Sequence, residues 1–276
     1  MQVPGKDLYA EINEKGISVL PSGRFVTPAG QIIRITHDSF GMALSPDGKK
    51  VVTLHNGVFT VIDLVSLSHT RVPSYDKKIT SPLSNGSFLG VAFSPDSKTV
   101  FLSGGDNGAV IIYDTEKFQR IDSISLNGRI NGIDYSESFT ADLLLNESNN
   151  ELLVMDRGNF RLVRINLNSK KITASIKTGR QPFGLAISPD KKLAFVANVG
   201  MYSYPLVEGM DSANYNSMMI NWHPYGDNTV ESMYGTVIDG KKIPGVGSPL
   251  SPEAMSVFTI DLATNSVIDK FKTGHK

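Results

Sequence analysis

Histidines, acidic residues and arginines are the side chains that could do chemistry in this chain. The five histidines are His37, His55, His69, His223 and His275, and none forms a close H-x-H or H-x₃-H pair of the kind that binds a metal. No phosphate-binding loop, nucleophile elbow, dinucleotide-binding or EF-hand pattern occurs. The chain contains no cysteine, which excludes disulfides, thiolate metal ligands and a cysteine nucleophile. A local catalytic motif is therefore not found.

A Ser-Pro-Asp triplet recurs at Ser45, Ser94 and Ser188, and Asn146-Glu147-Ser148 occupies the same place in a fourth copy. The copies are 49, 52 and 42 residues apart. Proline fixes its own φ angle and aspartate can bond its own turn, so the triplet is typical of a tight turn. No histidine or other base lies at a repeated offset from the serine. We therefore interpret the triplet as a turn and not as a nucleophile.

Each repeat surrounds this turn with four short runs of Val, Ile, Phe and Tyr at a period of two, which is a strand signal. In the first repeat the opening runs are "GMALSP", "KVVTLHN" and "VFTVID". Four antiparallel strands in each unit of 42 to 52 residues are the pattern of a β-propeller blade. The sequence therefore predicts an all-β propeller with four blades, at residues 40–73, 88–128, 139–178 and 183–274.

Alignment of the repeats matches residues 30–36, "GQIIRIT", to the outermost strand of a blade. This strand belongs to an N-terminal segment, residues 1–39, in which the alignment finds no inner strands. Such a strand normally completes the last blade and closes the ring. The fourth repeat already has an outermost strand, "NSVIDKFKTG". We therefore expect these residues to be an incomplete part of a larger ring, with a four-bladed ring carrying a redundant strand as the alternative.

Strand order also predicts which loops share a face. With the first strand of each blade innermost, the second-to-third loops and the loops between blades open on one face, where propellers usually bind ligands. The candidate ligand-binding residues on that face are His37, Asp38, His55, Asp106, Asp156, Arg157, Arg180 and Gln181. The arginines could bind an anion such as a phosphate ester, and the acids a small ligand or metal. Solvated loop side chains are the alternative interpretation.

Residues 201–253 of the fourth blade have no counterpart in the other repeats. A loop of this length in a compact fold is usually functional or disordered, and its aromatic and methionine content argues against disorder. The candidates for docking a partner or a further domain are Tyr202, Tyr204, Trp222, His223, Tyr225 and Tyr234. We consider two interpretations of this insertion: a lid or docking surface beside the channel mouth, and a self-packed cap over neighbouring blades.

The charge balance excludes some partners. The chain has 27 basic and 27 acidic residues, so nothing favours nucleic acid or an anionic membrane surface. No run approaches the roughly 20 apolar residues of a membrane helix. The N-terminal residues lack the basic and apolar regions of a signal peptide. Composition alone leaves open a cytoplasmic protein or an exported one whose signal has been removed.

Four stretches are more specific than the repeats: "LPSGRFVTPAGQ", "DRGNFRLVRINL", "FGLAISPDKKLAFVANVGMYSY" and "GTVIDGKKIPGVGSP". With them the chain resembles the YVTN-type, YncE-like propellers of bacteria over nearly its whole length. It is most similar to the propeller half of bifunctional proteins that carry an alkaline-phosphatase-like phosphoesterase domain. The turn at Asn146-Glu147-Ser148 departs from the pattern.

This resemblance implies a seven-bladed ring, an exported protein of the periplasm or cell surface, and the protein's own C-terminal phosphoesterase domain as partner, with another protein as the alternative. A divalent metal would belong to that domain, whose ligands are not in this sequence, so no cofactor is expected in these residues. The expected function is a non-catalytic scaffold or recognition propeller.

Two other functions are weighed against this one. A lactonase-like propeller hydrolase would need a channel-mouth metal and carboxylates where the innermost strands begin, but those positions hold Gly41, Gly90, Ala141 and Gly184. Nucleic-acid binding, a lesser alternative, lacks a basic stripe.

Overall fold

The computed structural model describes residues 3–13, 16–76, 78–81, 83–84, 86–87, 89–211, 213–218 and 229–273. Its main features are four four-stranded antiparallel sheets, each formed by strands that pair in sequence order. A short hairpin precedes them, with strands β1 (Ser18–Val19) and β2 (Phe25–Val26). The predicted all-β fold with four-stranded blades is confirmed.

The first two blades are regular repeats. Blade 1 contains β3 (Met42–Leu44), β4 (Lys50–Leu54), β5 (Phe59–Asp63) and β6 (His69–Val72). Blade 2 contains β7 (Val91–Phe93), β8 (Thr99–Ser103), β9 (Ala109–Asp114) and β10 (Gln119–Ser125). A hairpin that the repeat pattern did not predict follows, with β11 (Gly128–Ile130) and β12 (Ile133–Tyr135).

The last two blades differ in their connections. Blade 3 contains β13 (Thr140–Asn146), β14 (Glu151–Asp156), β15 (Arg161–Asn166) and β16 (Lys171–Lys177), with a short 3₁₀ turn at Glu147–Asn149. Blade 4 begins with β17 (Pro182–Ile187) and β18 (Leu193–Asn198). The insertion contains α1 (Tyr215–Met218), α2 (Val230–Tyr234), β19 (Gly235–Ile238) and β20 (Lys241–Pro244). Blade 4 ends with β21 (Ser256–Asp261) and β22 (Ser266–Lys272).

The blades pack face to face, with apolar side chains between them. The first strands of consecutive blades are neighbours, β3 with β7, β7 with β13 and β13 with β17. Between blades 1 and 2 the ring of Phe59 meets the ring of Tyr113 edge-on, with centroids 4.6 Å apart. The other two layers lie between blades 2 and 3 and between blades 3 and 4. Each fully buried large apolar side chain contributes about 1.5–3 kcal/mol, so these layers carry most of the stability.

The outer face of blade 1 lacks such a layer on its innermost strand. Met42 and Leu44 correspond in the repeat to Val91 and Phe93, which pack on blade 1. Phe93 is 5% exposed, whereas Met42 is 71% and Leu44 58% exposed. Blade 2 has a preceding blade to cover that face, and within the described residues blade 1 does not.

The predicted outermost strand over residues 30–36 is not formed, since none of these residues is in a strand. A strand of this kind needs a three-stranded blade to complete. All four described blades already contain four strands. Residues 31–34 instead line an open groove with Leu67 and His69 beside the outer strand of blade 1.

The Ser-Pro-Asp triplets are turns, as predicted. Ser45 Oγ donates to Asp47 Oδ1 at 2.7 Å and accepts from the Lys50 amide at 2.8 Å. The triplets at Ser94 and Ser188 make the same two bonds. The serine hydroxyl and then a backbone amide hold the pKa of each aspartate below its usual range, so these carboxylates are poor general bases.

The same turn also occurs at Ser74, where Tyr75 stands in the proline position. Ser74 Oγ donates to Asp76 and accepts from the Ile79 amide. The Ser-Pro-Asp pattern does not include this turn because the pattern requires a proline, whereas the hydrogen bonds need only the serine and the aspartate.

Replacing Ser45 by alanine should destabilise the chain by about 1–2 kcal/mol, because Ser45 is buried and the Lys50 amide would lose its acceptor there. Urea unfolding followed by circular dichroism measures this change. Ser66→Ala is the matched control: its hydroxyl is exposed and water can replace it, so we expect a change within about 0.5 kcal/mol. Equal losses in both variants would contradict the assigned role of the turn.

Candidate functional site

The predicted common face for the loops between blades and the second-to-third-strand loops is present in the structure. In blade 1 the Asn56 amide donates to the Ser87 carbonyl at 3.1 Å. In blade 3 the Arg157 amide donates to the Phe139 carbonyl at 2.8 Å, and in blade 4 the Val199 amide donates to the Gln181 carbonyl at 3.1 Å. Each such bond fixes a loop between blades against the second-to-third-strand loop of an adjacent blade, so the candidate residues share one side of the molecule.

His55 is enclosed by partners on both ring nitrogens. Its Nδ1 lies 3.0 Å from the His37 carbonyl oxygen, which can only accept, so Nδ1 carries the proton. Its Nε2 then accepts from the Thr53 hydroxyl at 2.6 Å. Burial lowers the pKa of His55 and keeps the ring neutral. With both nitrogens in use, His55 is poorly suited to bind a metal.

His37 and Asp38 form an exposed pair, with Nδ1 2.7 Å from Oδ2. Asp38 has a φ of 55°, in the left-handed region that aspartate tolerates in turns. Asp106 is exposed in the second-to-third-strand turn of blade 2, with its carboxylate close to Gly86. No group of three His, Asp or Glu residues suited to hold a metal occurs within the described residues.

Asp156 forms a buried ion pair with Arg161, with Oδ2 2.7 Å from Nε. Both side chains are fully buried, at 0% and 2% exposure. Oδ2 also accepts from the Ser138 hydroxyl, and Oδ1 accepts from the Phe139 amide at 3.0 Å. Oδ1 also accepts from the Gly158 amide at 3.1 Å, so protein donors saturate the Asp156 carboxylate and leave no lone pair for a ligand.

Arg161 fixes the unpredicted hairpin to blade 3. Its Nη2 donates to the Leu126 carbonyl at 2.6 Å, just before β11. Its guanidinium carbon lies 3.5 Å above the ring of Tyr135 in β12. The sequence offered no signal for this role, because Arg161 stands at the start of a strand that reads as a regular repeat.

Arg157 and Gln181 meet, as their predicted common face suggested. Arg157 Nε donates to Gln181 Oε1 at 2.7 Å, and the Arg157 guanidinium lies 5.7 Å from the ring centroid of Phe139. These residues line a groove of about 450 Å³ at the junction of blades 3 and 4. The groove also includes residues that sequence reasoning missed, namely Glu137, Phe139, Gly158, Phe160 and Ser203.

Arg180, the other arginine proposed for anion binding, has a structural role instead. Its Nη1 donates to the Met201 carbonyl at 2.6 Å and to the Ser248 carbonyl at 2.7 Å. A Cβ on Gly247 would lie 2.5 Å from Nη2, so the insertion packs tightly on the guanidinium. Burial lowers the pKa of Arg180, and the charge of Glu253 partly offsets this effect. Arg180 therefore joins both ends of the insertion to the blade.

Within the insertion, Tyr202 is buried while Tyr204 and Tyr234 are exposed. The rings of Tyr202 and Tyr204 meet edge-on with centroids 6.0 Å apart. The predicted docking residues Trp222, His223 and Tyr225 lie outside the described residues. Sequence reasoning placed all six aromatic or imidazole side chains on one docking surface, but the structure separates Tyr202 from it.

Asp142 is a carboxylate on an innermost strand that sequence reasoning did not name. It accepts from the Leu185 amide at 3.0 Å and from the Leu143 amide at 2.9 Å, so it bridges β13 and β17. Burial raises its pKa, and the two amides partly oppose this shift. A carboxylate held by two backbone amides joins blades 3 and 4.

No family model matches the chain, and no curated protein matches it. Among solved structures, hydrazine synthase of Kuenenia stuttgartiensis matches with 16% identity, a TM-score of 0.53, and coverage of 89% of this chain and 52% of the other. A protein of unknown function from Desulfotomaculum acetoxidans matches with 14% identity, a TM-score of 0.53, and coverage of 91% and 62%. The WD40 repeats of RRP9 match with 11% identity, a TM-score of 0.47, and coverage of 61% and 48%.

The fold is a β-propeller. At these identities the similarity shows the fold alone. The chain spans about half of the hydrazine synthase chain and three fifths of the Desulfotomaculum chain. In the described part of this propeller, no helix is long and apolar enough to cross a membrane.

Replacing Asp156 by asparagine should destabilise the propeller by about 3–5 kcal/mol, because it leaves the buried Arg161 charge without its partner. Urea unfolding measures the loss. The exposed pair Arg129–Asp134 supplies the control, and Asp134→Asn should change stability by less than about 1 kcal/mol. If Asp156→Asn were as stable as the wild type, Asp156 would again be a candidate ligand.

Stability should also depend on His55 below neutral pH. Its folded-state pKa lies below the ordinary value of about 6.5, so the unfolded chain binds the proton first. Stability is then full above pH 6.5 and falls as the pH drops below it. In urea unfolding at pH 7.5 and 5.5, His55→Gln should lose less stability than the wild type. The control His69→Gln, which replaces an exposed side chain at the start of β6, should lose the same amount as the wild type. Identical pH dependence in wild type and His55→Gln would show that the ring is not held neutral.

Proposed function

We propose that this chain is a non-catalytic scaffold and recognition propeller that docks a partner protein domain through its insertion. One observation carries the proposal: the insertion exposes large apolar side chains on the ligand-facing side of the fold. They are Tyr204, Leu206, Tyr215, Val230, Tyr234, Val237 and Leu250. Solvent-exposed apolar patches with tyrosines are typical of protein–protein interfaces.

The ends of the insertion are fixed to the blade. Besides the Arg180 bonds, Lys272 Nζ donates to the carbonyls of Pro249, Ser251 and Ala254. Inside the insertion, the Ser203 amide donates to the Val246 carbonyl, and the Val246 amide donates to the Ser232 carbonyl. A surface held in place in this way loses little conformational entropy on binding, which suits docking better than a free tether would.

We further propose that the partner is a phosphoesterase domain of the same protein, with another exported protein as the alternative. The sequence resemblance supports this choice. The exposed innermost strand of blade 1, where Met42 and Leu44 would be covered by a further blade, supports a larger ring. In this proposal the complete ring has about seven blades, the protein is exported, and any divalent metal is bound by the phosphoesterase domain.

The hydrolase alternative has less support. Its best carboxylate, Asp156, is committed to Arg161, and His55 uses both nitrogens. At the start of β7, a Cβ on Gly90 would lie 2.6 Å from the Ala141 carbonyl oxygen, so that position has no room for a ligand side chain.

The docking surface can be tested with two substitutions on α2 and β19. The gene is sequenced beyond this segment, and the phosphoesterase domain that it encodes is produced separately. Calorimetry should then show binding to this chain, weakened about tenfold or more in the double variant Tyr234→Ser, Val237→Ser. The tyrosine should account for most of this loss, because aromatic side chains carry much of the energy of an interface. Tyr9→Ser, an exposed tyrosine of the N-terminal segment, should leave binding unchanged.

Three outcomes would contradict the proposal: a gene without a second domain, a domain that does not bind, or equal binding by the double variant and wild type. Thermal melting of the double variant should match that of the wild type, since both side chains are exposed.

A further inference from the structure

A groove at the junction of blades 3 and 4 combines one arginine with three aromatic rings. It is lined by Arg157, Gln181, Glu137 and Ser203, by Gly158, and by Phe139, Phe160 and Tyr204. Its residues come from the loops after β12, β14, β16 and β18. The groove volume of about 450 Å³ falls within the range of small-molecule sites.

Two glycines, Gly158 and Gly200, make close contacts between the loops that line this groove. A Cβ on Gly158 would lie 2.2 Å from the Glu137 carbonyl oxygen, so the loop that carries Arg157 contacts the preceding loop directly. A Cβ on Gly200 would lie 2.5 Å from Gln181 Cγ. Only glycine fits at either position. The first contact fixes the Arg157 loop against the Glu137 loop, and the second fixes the Gln181 loop against the start of the insertion.

Arg157 differs from the other arginines near this face in what its terminal nitrogens contact. Arg161 uses Nε, Nη1 and Nη2 on Asp156, Ser175 and Leu126. Arg180 uses Nη1 on two carbonyls. Arg157 uses Nε on Gln181, and its Nη1 and Nη2 make no hydrogen bond to another described residue. The Gln181 bond and the Phe139 ring orient the guanidinium but leave its outer edge available.

We propose that this groove binds a small organic anion, with a carboxylate or phosphate at one end and a flat apolar group at the other. The two Nη groups of a guanidinium match the two oxygens of such an anion. Phe160 and Tyr204 offer apolar surface for the flat group. Glu137 adds a negative charge to the same groove, so it disfavours a second anionic group on the ligand.

Tyr204 belongs both to this groove and to the docking surface proposed above, but the test of the groove uses none of the docking variants, so the two proposals can fail separately. The probes are phenyl phosphate and benzoate, each titrated calorimetrically at pH 7.5. Inorganic phosphate and phenol represent the two halves of the first probe, and acetate and phenol represent the carboxylate and the ring of the second. At least one of the two whole probes should bind at least tenfold more tightly than either of its halves. Which of them binds distinguishes a phosphate site from a carboxylate site.

Arg157→Gln should weaken the binding probe at least tenfold, and Arg157→Lys should weaken it less, because lysine keeps the charge but not the paired donors. Gln181→Ala should weaken it several-fold by releasing the guanidinium. Glu137→Gln should strengthen phenyl phosphate, a dianion at this pH, more than benzoate. Arg120→Gln, an exposed arginine of β10 outside the groove, is the matched control and should bind as the wild type does.

Several results would overturn the inference: no binding of either whole probe, inorganic phosphate binding as tightly as phenyl phosphate, or equal affinities of the wild type and Arg157→Gln. An equal loss in Arg120→Gln would also overturn it. Thermal melting separates a binding defect from unfolding. If Arg157→Gln is unstable, the Arg157→Lys and Glu137→Gln titrations still decide, and unchanged affinities in both would reject the site.

Discussion

Face-to-face packing of consecutive sheets is the constraint on which the rest of this structure depends. Each inner blade has two apolar faces, and each face must be covered by a neighbour. The innermost strands then come so close that Gly90 has no room for a side chain beside β13. The same closeness lets Asp142 reach the backbone of β17. The innermost strands therefore have little room for ligand-binding side chains, and most of the candidate site residues lie in the loops on one side.

The sequence repeat predicted the features that face-to-face packing requires, and few others. Alternating apolar residues are required wherever a sheet lies between two others, so four blades and the Ser-Pro-Asp turns could be derived from the sequence. The strand at residues 30–36 failed because strand pairing depends on an available partner edge and not on β propensity alone. The hairpin at 128–135 was missed because it lies between repeats, where no second copy exists for comparison.

The sequence predicted where the candidate site lies but not what each of its residues does. Strand order alone placed Arg157, Arg180 and Gln181 on the loop-bearing face, and Arg157 does meet Gln181. Which acid or base is already partnered could not be derived, because it depends on atoms distant in sequence. Asp156 reads like an accessible loop carboxylate, yet donors from Ser138, Phe139 and Arg161 surround it.

Arg157, Arg161 and Arg180 show how a repeat fold acquires a specific surface. All three stand at or near loop-proximal ends of strands, and each guanidinium needs acceptors to the extent that it is buried. Arg161 meets that demand within its blade by holding the hairpin that follows blade 2. Arg180 is half-buried and meets it with carbonyls of the insertion, so one charge fixes both ends of the segment that departs from the repeat. Arg157 is half-buried and keeps contact with solvent, which removes the need for further internal acceptors. The insertion thus adds a surface to the propeller, and by engaging Arg180 it also leaves Arg157 as the cation of the groove that Ser203 and Tyr204 complete.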